Sequence, residues 1–343
     1  MTAVGRQFEA EIPRADVDLV TVVIPTKDRP HLACNAAAMA LAQVGVGAHV
    51  LVVDNGSTPD NAEMLRRALD PRARLITVPA RIGVSEARNV GMRAATTRWI
   101  AFLDDDDYWT PNKLATQLRA LTASPERLWV MSAAVAFTED GHFVGLSQPS
   151  TIADYYREIL AHSPPVAMSD LIVDRATALA VGGFRNDLDH WEDWDFAIRF
   201  AERAPSPVVV HDTLGVYWVR RSGASSDLSA LLESLEFFVA LHAARREGLA
   251  IEFDRVEIDY YLAYRATRFA EGGRFAATVY RSLLRRTRRP QFALYGALSR
   301  FTPKVFSRIT EWDRLRRLSR RERREVSGLV AEARSSPFAV VRD

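Results

Sequence analysis

The stretch WIAFLDDDDYW, residues 99–109, decides the fold. Its apolar opening is too short for a free-standing helix and has the composition of a buried strand. It runs without a break into Asp104, Asp105, Asp106 and Asp107. Four adjacent carboxylates repel one another and destabilise the chain unless a cation or many hydrogen-bond donors neutralise them. A hard divalent ion, shared between one or two of these carboxylates and the phosphates of a substrate, answers that cost. A solvated acidic turn before a helix, with Thr110 as N-cap and Pro111 at the first helical position, is the competing reading. Helix capping needs Thr110 but not four aspartates, so the metal reading is preferred. An EF-hand does not fit, because its ligands alternate across a loop with a central glycine.

Outward from this point the first half of the chain repeats the same strand composition in LVTVVI (19–24), HVLVV (49–53) and RLITV (74–78). Amphipathic segments near 31–43, 60–69 and 85–96 lie between them, so the class is α/β with a mainly parallel, right-handed wound sheet. Such sheets bind ligands outside the carboxyl ends of their strands. The first strand ends in Pro25, Thr26, Lys27, Asp28, Arg29 and Pro30, and the second in Asp54, Asn55, Gly56, Ser57 and Thr58. Each turn leads into a helix, where backbone N–H groups and a carboxylate can hold a base, a ribose or phosphates. Taken alone, DNGS is equally an ordinary turn.

A third acidic element, Trp191-Glu192-Asp193-Trp194-Asp195, is expected to open a helix near residue 191, with Glu192 and Asp195 on one face and Asp193 off it. Acidic residues in a first turn favour the helix dipole. Two tryptophans and a histidine beside three carboxylates also suit an acceptor pocket, in which aromatic faces hold a sugar or lipid and one carboxylate takes a proton.

Beyond residue 227 strand patterns nearly vanish, and 228–248 reads as one long helix. Two later segments, joined by Gly272 and Gly273 and closed by Pro290, read as a helical hairpin. With no second copy at a fixed period, this is not a repeat array. The expected organisation is a polar leader over 1–18, a catalytic domain over 19–225 and a mainly helical, basic region over 226–343. The formal net charge is +2, yet residues 281–325 hold 15 Arg or Lys against 4 Asp or Glu, leaving the body before them at −9. Apolar anchors at Phe292, Tyr295, Leu298, Phe301, Phe306, Ile309 and Trp312 interrupt these arginines. That pattern suits a segment lying on an anionic membrane, and equally a helical subdomain packing its stripe on the acidic body. No recognition fold accompanies the charge, so nucleic acid is not favoured as a partner.

Cys34 is the single cysteine, which excludes an intrachain disulfide and a cysteine-based zinc cluster and favours the cytosol. The N-terminus has no apolar core after a basic start, so it does not read as a signal peptide. No stretch approaches 18 consecutive apolar residues, so a spanning helix is not expected. The chain is placed in the cytoplasm, with peripheral docking on the cytoplasmic face of the membrane as its extension. Lysine occurs only at 27, 113 and 304.

Taken together and in order, TVVIPTKDRP, VLVVDNGSTPDN, RIGVSEARNVGMRAATTRWIAFLDDDDYWTPNKL and GGFRNDLDHWEDWDFAIRFA resemble glycosyltransferase family 2 over about residues 19–220. DNGS and SEARNVG are individually weak, whereas the ordered set with LDDDD and EDWD is specific. The resemblance implies the nucleotide-sugar-binding GT-A fold and inverting transfer of a sugar from a nucleoside-diphosphate sugar to a saccharide or lipid-linked acceptor, assisted by Mn²⁺ or Mg²⁺. It further implies that Asp54 contacts the nucleobase, that Asp104 and Asp106 hold metal and diphosphate with Asp105 near the ribose, and that Asp193 is the catalytic base. The run of four aspartates leaves this assignment ambiguous by one residue. Pro25, Thr26, Asp28, Arg29, Asn55, Gly83 and Arg88 complete the donor-side candidates, and Trp191, Glu192 and Trp194 the acceptor side. One departure concerns the segment after the last strand, where many relatives carry a histidine. Here Arg220 and Arg221 stand, and a guanidinium is well shaped to hold phosphate oxygens. His211 is nearby in sequence, but a lone histidine beside a strand is more often structural. A nucleotidyltransferase using a similar acidic site, or a binding protein that keeps the fold without turnover, are the alternatives.

Overall fold

The computed structural model describes residues 19–78, 82–147, 149, 154–162, 167–220, 228–266 and 272–336. The leader over 1–18 and Arg221 lie outside them. The first half alternates as read: β1 (Leu19–Thr26), α1 (Pro30–Leu41), β2 (Gly47–Asp54), α2 (Pro59–Ala68), β3 (Arg74–Thr77), α3 (Gly83–Ala94) and β4 (Trp99–Phe102). β1 pairs in parallel with β2 and with β4, and β2 in parallel with β3. Thr26 therefore lies opposite Asp54, and Leu103 donates its N–H to Val23 at 3.0 Å. The ends of β1, β2 and β4 open on the same edge.

Further strands extend the sheet: β5 (Tyr108–Trp109), β6 (Trp129–Thr138), β7 (Phe143–Ser147), β8 (Leu171–Asp174) and β9 (Val208–Val219). The order is β3-β2-β1-β4-β8-β6-β9-β5, with β7 on β6. β8 runs antiparallel to both β4 and β6, so the sheet turns mixed beyond its parallel half. The helices α4 (Lys113–Thr122), α5 (Tyr155–Ala161), α6 (Arg175–Ala180) and α7 (Glu192–Arg203) flank it. Helix α4 begins at Lys113 with Asn112 as N-cap, and not at Thr110. Strand pairing outcompetes capping there, since Tyr108 and Trp109 pair with β9 and Thr110 N–H bonds the Leu214 carbonyl at 3.0 Å.

The chain then continues through α8 (Leu228–Leu241), α9 (Ala243–Leu249), α10 (Arg255–Ala266), α11 (Gly272–Thr287), α12 (Gln291–Phe301), α13 (Pro303–Arg317) and α14 (Arg320–Ser335). The helix expected over 228–248 is broken at His242, whose buried ring lies 3.1 Å from the carboxylate of Asp195. α10 and α11 form the expected hairpin, although Gly272 opens α11 and does not stand between the helices. None of the helices is long and apolar enough to cross a membrane among the described residues.

Buried residues of this helical stretch belong to the same two clusters that flank the sheet. Leu235, Phe238, Leu262, Tyr280 and Phe306 join the face covered by α3 and α7. Val326, Leu329 and Ala333 of α14 join the face covered by α1 and α4. Burial of such side chains contributes about 1.5–3 kcal/mol each, so the helical stretch and the sheet stabilise one another.

Candidate active site

The four aspartates are not equivalent. A turn closed by Asp107 N–H on the Asp104 carbonyl, at 3.1 Å, alternates their directions. Asp105 and Asp107 point inward and are buried, whereas Asp104 and Asp106 keep 28% and 17% of their side chains exposed. Asp105 accepts a hydrogen bond from Thr26 Oγ1 at 2.6 Å and pairs with Arg29 at 2.6 Å. Burial pushes its carboxyl up to about 7, against the pull of Arg29. Asp107 accepts from Ser169 Oγ, and burial, with the like charges of Asp104 and Asp106, holds its pKa well above the ordinary carboxylate range. Asp106 meets Arg29 at 2.9 Å and Arg220 at 3.2 Å, both through Oδ2.

Asp104 is held by Arg88, at 2.8 Å. The same guanidinium reaches Asp193 at 3.0 Å and Glu192 at 3.3 Å through its other terminal nitrogen. Arg88 is 3% exposed and lies 5.3 Å from the Phe184 ring. A buried guanidinium this surrounded by carboxylates is fixed in place, because leaving it unpaired would cost about 3–5 kcal/mol. The local sequence makes the reach possible. Gly91, one turn beyond Arg88, presses on Val23, where a Cβ would meet Cγ1 at 2.3 Å, so α3 lies tight against β1. Asn89, the next residue in the motif, clamps the Gly182-Gly183-Phe184 turn by accepting from Phe184 N–H and donating to its carbonyl, both at 2.8 Å. SEARNVG thereby ties the acidic turn to the loop that launches α7.

The ends of β1 and β2 line the other side. Asp54 is fully buried; Oδ1 accepts from Ser57 N–H at 3.0 Å, and Oδ2 is buried without a hydrogen-bond partner. An unmatched buried acceptor costs about 1–3 kcal/mol, which a ligand donor would recover. Asn55 Oδ1 accepts from Ile82 N–H at 2.8 Å and sets the start of α3, where Gly83 takes φ +80. Asp28 is used within the protein: at φ 55 it accepts from Thr58 N–H at 2.7 Å and Asn61 at 3.1 Å, joining the two loops. These bonds hold its carboxyl below the usual carboxylate range.

Residues 21–177 match the family model described as Glycosyl transferase family 2. Over that segment, somewhat under half of the chain, the sequence is similar to glycosyl transferase family 2. An uncharacterized glycosyltransferase of Haemophilus influenzae is 26% identical over 186 residues, covering 53% of this chain and 63% of that protein. The Escherichia coli UDP-Glc:alpha-D-GlcNAc-diphosphoundecaprenol beta-1,3-glucosyltransferase WfgD is 32% identical over 100 residues, 29% of this chain and 40% of its own length. The matches span less than two thirds of the lengths of the first of these curated relatives. S. aureus TarS 1-349 in complex with UDP-GlcNAc is similar in fold, with a TM-score of 0.52 at 16% identity over 85% of this chain and 90% of that one. The GT-A type of sheet expected from the sequence is the one observed.

Around this site the structure places several expected residues elsewhere. Trp194 is not an acceptor wall. It is 4% exposed, donates to the Ile159 carbonyl at 2.6 Å and packs on Phe238 with ring centroids 4.3 Å apart. Trp191, at φ 67, turns its indole N–H to the Leu231 carbonyl and Ser234 Oγ, both at 3.1 Å, so both tryptophans fasten α7 to α8. Of the three acceptor-side candidates, Glu192 stays beside Asp193. His211 lies on β9 with its side chain exposed.

The sequence reading missed the floor of the site. Lys113 is fully buried beneath the acidic turn; its ammonium donates to Gln117 Oε1 at 2.6 Å and lies 5.0 Å from the Trp109 ring. Burial pushes its pKa down and that of the neighbouring Asp170 up. A lysine just after the aspartates, in a chain with only three, was the available signal.

Among the described residues no group of three or more His, Cys, Asp or Glu is placed to hold a metal by itself. Asp104 and Asp106 nevertheless fit Mn²⁺ or Mg²⁺ shared with substrate phosphates, since both are hard oxygen donors at the open edge and such ions take only one or two carboxylates in phosphate sites.

Proposed function

We propose that this chain is a metal-dependent, inverting glycosyltransferase that moves a sugar from a nucleoside-diphosphate sugar to an acceptor hydroxyl. One observation carries the reading: a single buried guanidinium, Arg88, bonds both Asp104 at the donor edge and Asp193 at the start of α7. The groups proposed for diphosphate departure and for proton removal are thus held on opposite arms of one rigid fork. Asp54, with its unmatched buried oxygen, would accept a donor N–H or O–H of the base or ribose. Arg29 and Arg220, already gathered on Asp106, would turn toward diphosphate oxygens, the site's substitute for the histidine of many relatives. A bound Mn²⁺ or Mg²⁺ at Asp104 and Asp106 would supply Lewis-acid stabilisation of the leaving diphosphate. Asp193 would take the proton of the acceptor hydroxyl as that oxygen attacks the anomeric carbon from the face opposite the departing group.

A related protein named for transfer from UDP-Glc to a diphosphoundecaprenol-linked acceptor supports UDP-sugars as donors and a saccharide or lipid-linked acceptor. An anionic membrane surface met through residues 281–325, on the cytoplasmic face, belongs to the same reading, as does the division into a catalytic domain over 19–225 and a helical region over 226–343.

Calorimetric titration of UDP with Mn²⁺, paired with a transfer assay, tests it. Asp106→Ala is expected to abolish Mn²⁺-dependent nucleotide binding, and Asp193→Asn to keep that binding while lowering kcat by roughly 10²–10⁴-fold. Desolvation pushes the Asp193 carboxyl up to about 8 against the opposing charge of Arg88. Below that pH it is protonated and cannot act as a base, so kcat/KM should climb with rising pH and level off above it. Full activity in Asp193→Asn would remove Asp193 from the role, whereas a flat profile between pH 6 and 9 would show that the ion pair with Arg88 keeps its carboxyl ionised across that range.

A further inference from the structure

Helix α13 turns apolar side chains to water as well as to the protein. The side turned to the sheet is largely polar: Glu311 accepts from Phe143 N–H at 2.8 Å and meets His142 Nδ1 at 3.2 Å, and Arg314 donates to the Val144 carbonyl at 3.2 Å. Phe306 is buried between Tyr280 and Tyr295, and Leu315, partly buried, packs on the cluster that α14 joins. The opposite side carries Val305, Ile309 and Trp312, which are 54%, 50% and 63% exposed. Their spacing sets them within an arc of roughly 60° on the helix. At the junction with α12, Phe301 is 76% exposed. Isolated apolar residues on a surface need no explanation, but three large ones on one side of a single helix mark a binding face.

Its surroundings select the occupant. Arg308 and Arg316 are exposed on the same side of α13. The Arg316 guanidinium lies 5.1 Å from the Trp312 ring, and that of Arg300 lies 5.8 Å from the Phe301 ring. Aromatic and aliphatic groups rimmed by guanidinium groups match the boundary between acyl chains and anionic headgroups, where an amphipathic helix lies in the membrane plane. A second copy of the chain is a poor occupant, because pairing two such stripes would bring together two segments that each carry 15 basic residues against 4 acidic ones. We infer that the outer face of α13, with Phe301, docks the protein on an anionic phospholipid bilayer. This deepens the membrane part of the reading above and rests on it, but not on catalysis.

Vesicle co-sedimentation of the full chain tests the assignment, with vesicles of phosphatidylcholine alone or mixed with phosphatidylglycerol. The intact chain should sediment with the mixed vesicles and stay in solution with the neutral ones. The double substitution Ile309→Ser, Trp312→Ser should lower the partition coefficient at least tenfold while leaving the melting temperature and UDP binding with Mn²⁺ unchanged. Arg308→Gln with Arg316→Gln should weaken binding and flatten its dependence on salt. If the intact chain binds anionic vesicles and the serine variant binds them equally well, the α13 assignment is overturned and the membrane reading stands. If the intact chain ignores anionic vesicles, both fall. If the serine variant instead converts a dimer to a monomer without changing sedimentation with lipid, the stripe is a self-association surface and the proposal is overturned. UDP binding reports separately on the donor site.

Discussion

Helices α13 and α14 are neighbours of similar length and similar arginine content, and they use their apolar stripes in opposite ways. In α14, Val326, Leu329 and Ala333 are buried against the sheet, and Glu332 accepts a hydrogen bond from Tyr108 at 3.0 Å. In α13 the matching stripe of Val305, Ile309 and Trp312 faces away from the protein. Their starts differ too. Ser319 and Glu322 form a complete capping box for α14, whereas α13 opens with Pro303 after Thr302 and has no side-chain cap. Period and composition place a stripe on a helix; the neighbouring surface determines where it points.

The contrast can be broken most sharply with charge. Leu329→Asp would bury a carboxylate without a partner and should lower unfolding free energy by about 3 kcal/mol or more in urea titrations. Ile309→Asp should stay within about 0.5 kcal/mol of the parent, and equal losses in the two variants would mean that α13 is packed on its outer face after all. Tyr108→Phe removes the bond to Glu332 that ties α14 to the residue following the acidic turn, and should cost about 1.5 kcal/mol, read as a fall in melting temperature. Ser319→Ala should cost about 1 kcal/mol by loss of the cap. Thr302→Ala should cost less, since Thr302 makes no N-capping bond to α13 and its hydroxyl donates instead to the Leu298 carbonyl of α12 at 3.1 Å. The reverse ranking would show that the α12–α13 junction, and not the start of α14, carries more of the stability.

Within the catalytic half, what was legible followed from local rules. Short apolar runs gave β1 to β4, and turn chemistry placed candidate residues at their ends. Helix α7 starts at Glu192, as the acidic first turn indicated. The one-residue ambiguity among the aspartates had no sequence solution, because it depends on which carboxylates the turn buries. The structure turns Asp104 and Asp106 outward and sends Asp105 and Asp107 into the protein. Repulsion within the run is answered in part by arginines, with Arg29, Arg88 and Arg220 gathered on Asp104, Asp105 and Asp106 from three separate elements. Trp194 was misread because an aromatic beside carboxylates looks alike in sequence whether it lines a pocket or plugs a helix interface.

By itself the sequence determined the parallel half of the sheet, the acidic strand end and the likeness to glycosyl transferase family 2 over residues 21–177, since these depend on residue order over a few neighbours. Tertiary structure alone decided that Arg88 joins the two acidic motifs, that His242 breaks a helix to meet Asp195, and that α13 leaves Val305, Ile309 and Trp312 outward while the next basic helix packs its stripe inward. Each of those outcomes rests on contacts between residues far apart in the chain, where burial and charge pairing act across space and leave no local period to read.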